Sequence, residues 1–123
     1  MKKDSKLFSK NHIWMLQIED TVKLGVSDHA QKKLGNVMFL NLPDVGDEVL
    51  IGQRFGDIES IKTVSDLISP VDGEVVAVNE ELIDEPERIN EAPYKSWFIE
   101  VKVSSIEDGL MDENTYLNCK DQL

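Results

Sequence analysis

The stretch Phe55-Gly56-Asp57-Ile58-Glu59-Ser60-Ile61-Lys62-Thr63-Val64-Ser65-Asp66-Leu67-Ile68-Ser69-Pro70-Val71-Asp72-Gly73-Glu74-Val75-Val76-Ala77-Val78 decides the fold. Its apolar residues come in short runs broken by turn formers, and Leu67, Ser69 and Val71 alternate against Ile68 and Pro70 with the period of a strand. The polar cluster over residues 59–66 lies between two such runs and reads as a hairpin tip that leaves the Lys62 side chain in water. Asp72-Gly73 reads as a two-residue type I′ turn, which needs positive φ at both central positions. Val75-Val76-Ala77-Val78 is apolar throughout and predicts a strand covered on both faces.

The same grammar extends outward. Val22-Lys23-Leu24-Gly25-Val26 alternates as a strand, Gly46-Asp47, Gly52 and Gly56 punctuate the middle of the chain, and Trp97 to Val103 returns to strand. One short helix is legible from Asp28, as cap, to Gly35, as left-handed stop, with Ala30 and Leu34 on its buried face. Pro86 and Pro93 bracket a connection with one turn of helix. From Ile106 the spacing of Leu110, Met111, Tyr116 and Leu117 predicts two short C-terminal helices, the second capped by Asp112. Val45-Gly46-Asp47-Glu48-Val49 is echoed by Val71-Asp72-Gly73-Glu74-Val75, which chance or a repeated hairpin would each explain. The expectation is a single domain over residues 1–123, with its core at about 7–103 and a helical segment at about 105–119.

With 13 Lys and Arg against 24 Asp and Glu, the net charge is −11. Such a field opposes phosphate backbones and anionic lipid, so neither nucleic acid nor membrane is an expected partner. Apolar runs such as Ile13-Trp14-Met15-Leu16 stop at four residues, far short of the roughly 20 that span a bilayer. No apolar stretch follows Met1-Lys2-Lys3-Asp4, and the lone Cys119 cannot form an internal disulfide, so the cytoplasm is the expected compartment. Two histidines and one cysteine, with no HExxH, CxxC, GxSxG or P-loop pattern, assemble neither a metal site nor a nucleophile–base pair. Cys119 reads as a packing residue. An enzyme is not expected.

Charge singles out Lys62. Residues 55–87 hold ten carboxylates and one cation, and so carry nine of the eleven net negative charges. On this pattern alone, Lys62 is either a solvated lysine that relieves acidic repulsion or a site of modification. An ammonium has no lone pair with which to attack, so a modification there requires an enzyme that brings an activated acyl group. Acylation would then remove the region's one positive charge.

Residues 55–67, followed by Ser69-Pro70-Val71-Asp72-Gly73-Glu74-Val75 and Val78-Asn79-Glu80-Glu81-Leu82, resemble the lipoyl-lysine hairpin of the glycine cleavage system H-protein family. Gly25-Val26-Ser27-Asp28-His29-Ala30-Gln31, Leu34-Gly35-Asn36-Val37, Leu42-Pro43-Asp44-Val45-Gly46-Asp47 and Asn90-Glu91-Ala92-Pro93-Tyr94 follow in family order, so the resemblance covers nearly the whole chain. It implies a mostly β barrel-sandwich hybrid of antiparallel sheets with one short internal helix and short C-terminal helices. It also implies lipoic acid in amide linkage to Lys62, and a monomeric carrier without an active site of its own. Such a carrier shuttles the aminomethyl intermediate of glycine between a pyridoxal-phosphate glycine decarboxylase, a tetrahydrofolate-dependent aminomethyltransferase and a dihydrolipoamide dehydrogenase. A lipoate ligase or octanoyltransferase, with a lipoyl synthase, would install the cofactor.

The resemblance assigns His29 and Asp66 to the cleft where the loaded arm rests, and Glu59 and Ser60 to recognition by the modifying enzyme. On the residues alone, His29 is equally a half-exposed helix residue and Asp66 a turn residue. Two departures stand out. His12-Ile13-Trp14 replaces the family's His-Glu-Trp and removes a carboxylate expected to face the arm; Pro93-Tyr94-Lys95-Ser96-Trp97 is one residue short and lacks a glycine. Ile13 motivates an alternative: a lipoyl carrier of the same fold that relays lipoyl groups to other acceptors or serves sulfur-compound oxidation. An acidic interaction module that has lost the arm is a third reading. A biotin carrier is disfavoured, because Ile61 and Thr63, not methionines, flank the lysine.

Overall fold

A computed structural model describes residues 5–123; Met1-Lys2-Lys3-Asp4 lie outside the described residues. Among the described residues, nine strands form two antiparallel sheets. In chain order the strands are β1 (Leu7–Phe8), β2 (Ile13–Ile18), β3 (Thr21–Val26), β4 (Val37–Asn41), β5 (Glu48–Val49), β6 (Arg54–Ser60), β7 (Val64–Ile68), β8 (Val71–Val78) and β9 (Ile99–Ile106). One sheet has the order β1-β2-β3-β9-β8-β5 and the other β4-β6-β7. The helices are α1 (Asp28–Leu34), α2 (Glu80–Asp84), α3 (Arg88–Glu91) and α4 (Glu113–Cys119), with a 3-10 turn at Lys120–Gln122. No helix among the described residues is long and apolar enough to cross a membrane.

Period-two patterning builds the core as expected. Val22 and Leu24 of β3 pair with Val101 and Ile99 of β9, and all four are buried. Ile58 of β6 and Leu67 of β7 close the core from the smaller sheet. A second, aromatic cluster joins Phe8, Trp14 and Tyr116. There Phe8 and Tyr116 stack at 4.6 Å between ring centroids and pin α4 to β1.

Several local expectations are corrected. Asp72-Gly73 is not a turn but part of β8, at a register shift against β9. The chain instead passes between the sheets at the buried Ser69-Pro70, where the Ser69 hydroxyl accepts from Val71 N–H at 3.1 Å. A Cβ at Gly73 would overlap the Lys102 carbonyl, so this glycine serves close backbone approach. The echoed segments pair with each other: Glu48 faces Glu74, Val49 faces Gly73, and Gly46 N–H donates to the Val75 carbonyl at 2.8 Å. β8 is covered on one face only, with Val75 buried and Val76 exposed.

The helices depart in three places. Ser27, not Asp28, caps α1 by accepting from Ala30 N–H, while Asp28 starts the first turn. α2 is an additional internal helix with Leu82 buried beneath it. The first C-terminal helix is absent: β9 runs to Ile106, Gly109 takes positive φ, and Met111 bridges Phe8. Asp112 caps α4 as expected, accepting from Thr115 N–H.

Replacing Gly73 with Ala is expected to cost about 1–3 kcal/mol through overpacking against Lys102. Urea unfolding should show a lower midpoint at unchanged slope; an unchanged midpoint would contradict this register.

Candidate functional site: the β6–β7 tip

Lys62 sits at the tip of the β6–β7 hairpin with an exposed side chain, and no ion pair to it is found among the described residues. Three residues, Ile61 to Thr63, make the turn, and two of their N–H groups are satisfied locally. The buried Ser60 hydroxyl oxygen accepts from Lys62 N–H at 3.1 Å and from Thr63 N–H at 3.2 Å. Ser60 N–H in turn donates to the Thr63 carbonyl at 2.8 Å. Ser60 therefore works inside the turn, whereas Glu59 points outward between Phe39 and Val64.

Behind the tip stands the exit of α1. Ile61 N–H donates to the Asn36 carbonyl at 3.2 Å. A Cβ on Gly35 would lie 3.1 Å from Lys62 Cε, so the absent side chain leaves room for the lysine stem. Gly35 also has φ of 74° and ψ of −156°, a region that essentially only glycine enters. Asn90 of α3 locks this loop: its Oδ1 accepts from Val37 N–H at 2.9 Å, and its Nδ2 donates to the Gly35 carbonyl at 2.8 Å and to Gln31 Oε1 at 3.0 Å. The sequence reading missed Asn90 as a support, although it opens the quoted Asn90-Glu91-Ala92-Pro93-Tyr94 motif.

The two arm-cleft candidates occupy different surroundings. Asp66 is exposed, faces Asp57 across the hairpin, and pairs with Arg54 Nε at 3.1 Å. Arg54 also binds Asp57, which accepts from Asn41 Nδ2 as well; these bonds, with Asn41 the largest influence, hold the Asp57 carboxyl below its ordinary range. His29 lies near the start of α1, away from Gly35, with its ring 5.0 Å from that of His12 and its Nδ1 3.8 Å from Asp121. No hydrogen bond joins His29 to Asp66. Ile13 is only 1% exposed and packs in the main core.

His12 and His29 belong to a network that holds the C-terminal segment. Tyr116 Oη lies 2.6 Å from His12 Nδ1 and 2.7 Å from Ser27 Oγ. Burial pushes the Tyr116 phenol up to about 12, so it is protonated. Burial, then His29 and Lys33, holds the His12 imidazole below its ordinary value, which favours the neutral ring beside the phenol. Burial likewise lowers His29, with Lys33 and Lys120 adding to it and Asp121 and Asp28 opposing.

The geometry offers one exposed primary amine on a rigid turn, with no base or nucleophile bonded to it. The chemistry available to it is attachment. A glycine cleavage H-protein family model matches residues 6–122. The chain belongs to the glycine cleavage H-protein family. It is 47% identical to the glycine cleavage system H protein of Aliivibrio fischeri (strain MJ11), over 99% of both chains. It is 44% identical to the probable glycine cleavage system H protein of Pyrococcus abyssi, over 93% of this chain and 88% of that one. Its backbone matches the crystal structure of a glycine cleavage system H protein from Mycobacterium marinum with a TM-score of 0.89 at 31% identity, covering all of both chains. The barrel-sandwich expectation and the family resemblance both stand.

Two outcomes test this site. Asn90→Ala removes one acceptor and two donor contacts and is expected to destabilise by about 1–3 kcal/mol, with faster hydrogen exchange at Val37 N–H. The histidines set a pH dependence. Their folded values lie below the unfolded ones, so their contribution is complete above about pH 6.5 and is lost as pH falls through the folded values. The urea midpoint should therefore drop between pH 7.5 and 5, above the range where Asp28, Asp57 and Asp112 titrate. His12→Asn, which tolerates the φ of 66° there, should shrink that drop.

Proposed function

We propose that this chain, as one domain over residues 1–123, is the lipoyl carrier of a glycine cleavage system, with lipoate in amide linkage to Lys62 Nζ. The observation that carries the reading is the exposed lysine on a locally satisfied turn in a chain of this family. The residues present fit the group: Nζ is reachable, and Gly35 leaves space beside the stem. When bound, lipoate would supply a dithiolane that can be reduced open to carry the one-carbon unit derived from glycine and, once that unit has been passed on, reoxidised from the free dithiol by thiol–disulfide exchange with an oxidising partner.

What the chain's own residues do is fix the base of that arm. Ser60 and the Asn36 carbonyl hold the tip backbone, so motion is confined to the lysine side chain and whatever it bears. A short tether then makes each meeting with a docked partner effectively intramolecular. The partners on this reading are glycine decarboxylase, the aminomethyltransferase and dihydrolipoamide dehydrogenase, with a lipoate ligase or octanoyltransferase and a lipoyl synthase for maturation. The carrier acts as a monomer in the cytoplasm, where a free thiol such as Cys119 persists. His29 and Asp66 remain the proposed cleft residues. Any cation carried by the arm would exchange with Arg54 at Asp66, while position 13 contributes packing and no carboxylate.

Intact mass of protein incubated with lipoate, ATP and a lipoate ligase is expected to show one lipoyl adduct, absent in Lys62→Arg. The modified wild type should support glycine–bicarbonate exchange by a glycine decarboxylase, and Lys62→Arg should fall to background. Adduct formation without exchange would separate lipoylation from glycine cleavage and return Ile13 to attention.

A further inference from the structure

We propose that the outward face of the β4-β6-β7 sheet beside Lys62 is the docking surface for the enzyme that acylates this lysine, with Phe39 and Val64 as its apolar anchors. The inference rests on Lys62 as the modified residue and adds the surface by which its modifier is held.

Strand register puts the anchors in one row: Phe39 faces Glu59, and Glu59 faces Val64. Leu40, Ile58 and Leu67 point inward and are buried, so this row points to solvent. Phe39 is 59% exposed and Val64 60%; Ile61, at the tip itself, is 65% exposed, and Met38, at the β4 bulge, 48%. Four of the most exposed large apolar side chains in the described chain thus gather around one lysine. Exposed apolar side chains grouped at one end of a sheet, here around the single charge of Glu59, mark an interaction site.

The next row down the sheet is Asn41, Asp57 and Asp66, and it is closed by internal bonds to Arg54 and Asn41. Glu59, by contrast, has no cation or donor among the described residues. It is the one charge set between the two anchors, so the complementary partner has an apolar patch with a Lys or Arg facing Glu59. The acylating enzyme is the partner that must cover this surface, because its active site has to enclose Nζ itself and not the far end of an arm.

In that step the neutral Lys62 amine attacks the carbonyl carbon of an acyl adenylate. The C–N amide bond forms, the bond from the acyl carbon to the phosphate oxygen breaks, AMP leaves with the electron pair, and the two protons shed by the ammonium pass to water.

The test uses Phe39→Thr/Val64→Thr, which keeps strand-compatible residues, beside the control Ile18→Thr on a distant exposed apolar residue. Steady-state lipoylation with lipoate, ATP and lipoate ligase should show KM for the carrier raised about tenfold or more with kcat little changed, and the control unaltered. Acetylation of Lys62 by a small anhydride should be the same in all three proteins, which separates docking from any change at the tip. Equal KM for double variant and wild type would overturn the proposal. So would a rise in KM confined to the glycine decarboxylase, which would assign the surface to another partner. If the wild type itself were not lipoylated, the Lys62 reading would fail first.

Discussion

The structure turns on one buried hydroxyl. Ser60 Oγ accepts from two successive backbone N–H groups of the β6–β7 turn, and the Asn36 carbonyl takes the third. Without those acceptors the three N–H groups of this exposed turn would be left to water, and the turn would be closed only by the bond from Ser60 N–H to the Thr63 carbonyl. With them, the backbone at Lys62 is tied both to its own hairpin and to the loop after α1. A carrier with its cargo on Lys62, as proposed above, needs this division: a fixed base, so that partners recognise one surface, and a long side chain, so that the cargo reaches several sites. Gly35 extends the same logic, since removing one Cβ from the helix exit lets the stem lie against backbone.

Support for the tip is assembled from far along the chain. Asn90 lies on α3, yet it fixes the loop between α1 and β4 against which the tip leans. The C-terminal segment is held independently, through Tyr116 bonded to both Ser27 and His12 and stacked on Phe8. Ser27 joins two duties: its Oγ caps α1 and meets the Tyr116 phenol. The helix that ends at Gly35 is thus anchored at its start by the C-terminal segment and at its finish by Asn90, and a disturbance at either end has a covalent route to the Lys62 backrest.

Sequence patterning revealed what is local. The hairpin tip was legible because strand alternation on both sides isolates a short polar cluster, and α1 was legible because its caps lie within eight residues. Asp72-Gly73 misled because the turn signal is local while the deciding contact, Lys102, lies far along the chain on β9. The helix expected around Leu110 and Met111 failed for the same reason: their spacing suits a helix, but Met111 completes the edge of β1 by exchanging hydrogen bonds with Phe8. Asp28 and Ser27 are both good caps, and Asp28 lost because its carboxylate is engaged by Gln31 and Lys32. Asn90 was invisible as a support, since all three of its partners are more than fifty residues distant.

The acidity of the chain and the smallness of its apolar face belong to one requirement. A shuttle must meet several enzymes quickly and leave each of them quickly. Long-range charge raises encounter rates without lengthening the stay, because it acts before contact and is screened by salt. Residence time depends on what is buried at contact, and differences among related complexes lie mostly in dissociation. A surface of a few apolar side chains around one unpaired carboxylate gives orientation with modest affinity. A broader apolar face would hold one partner at the expense of the rest.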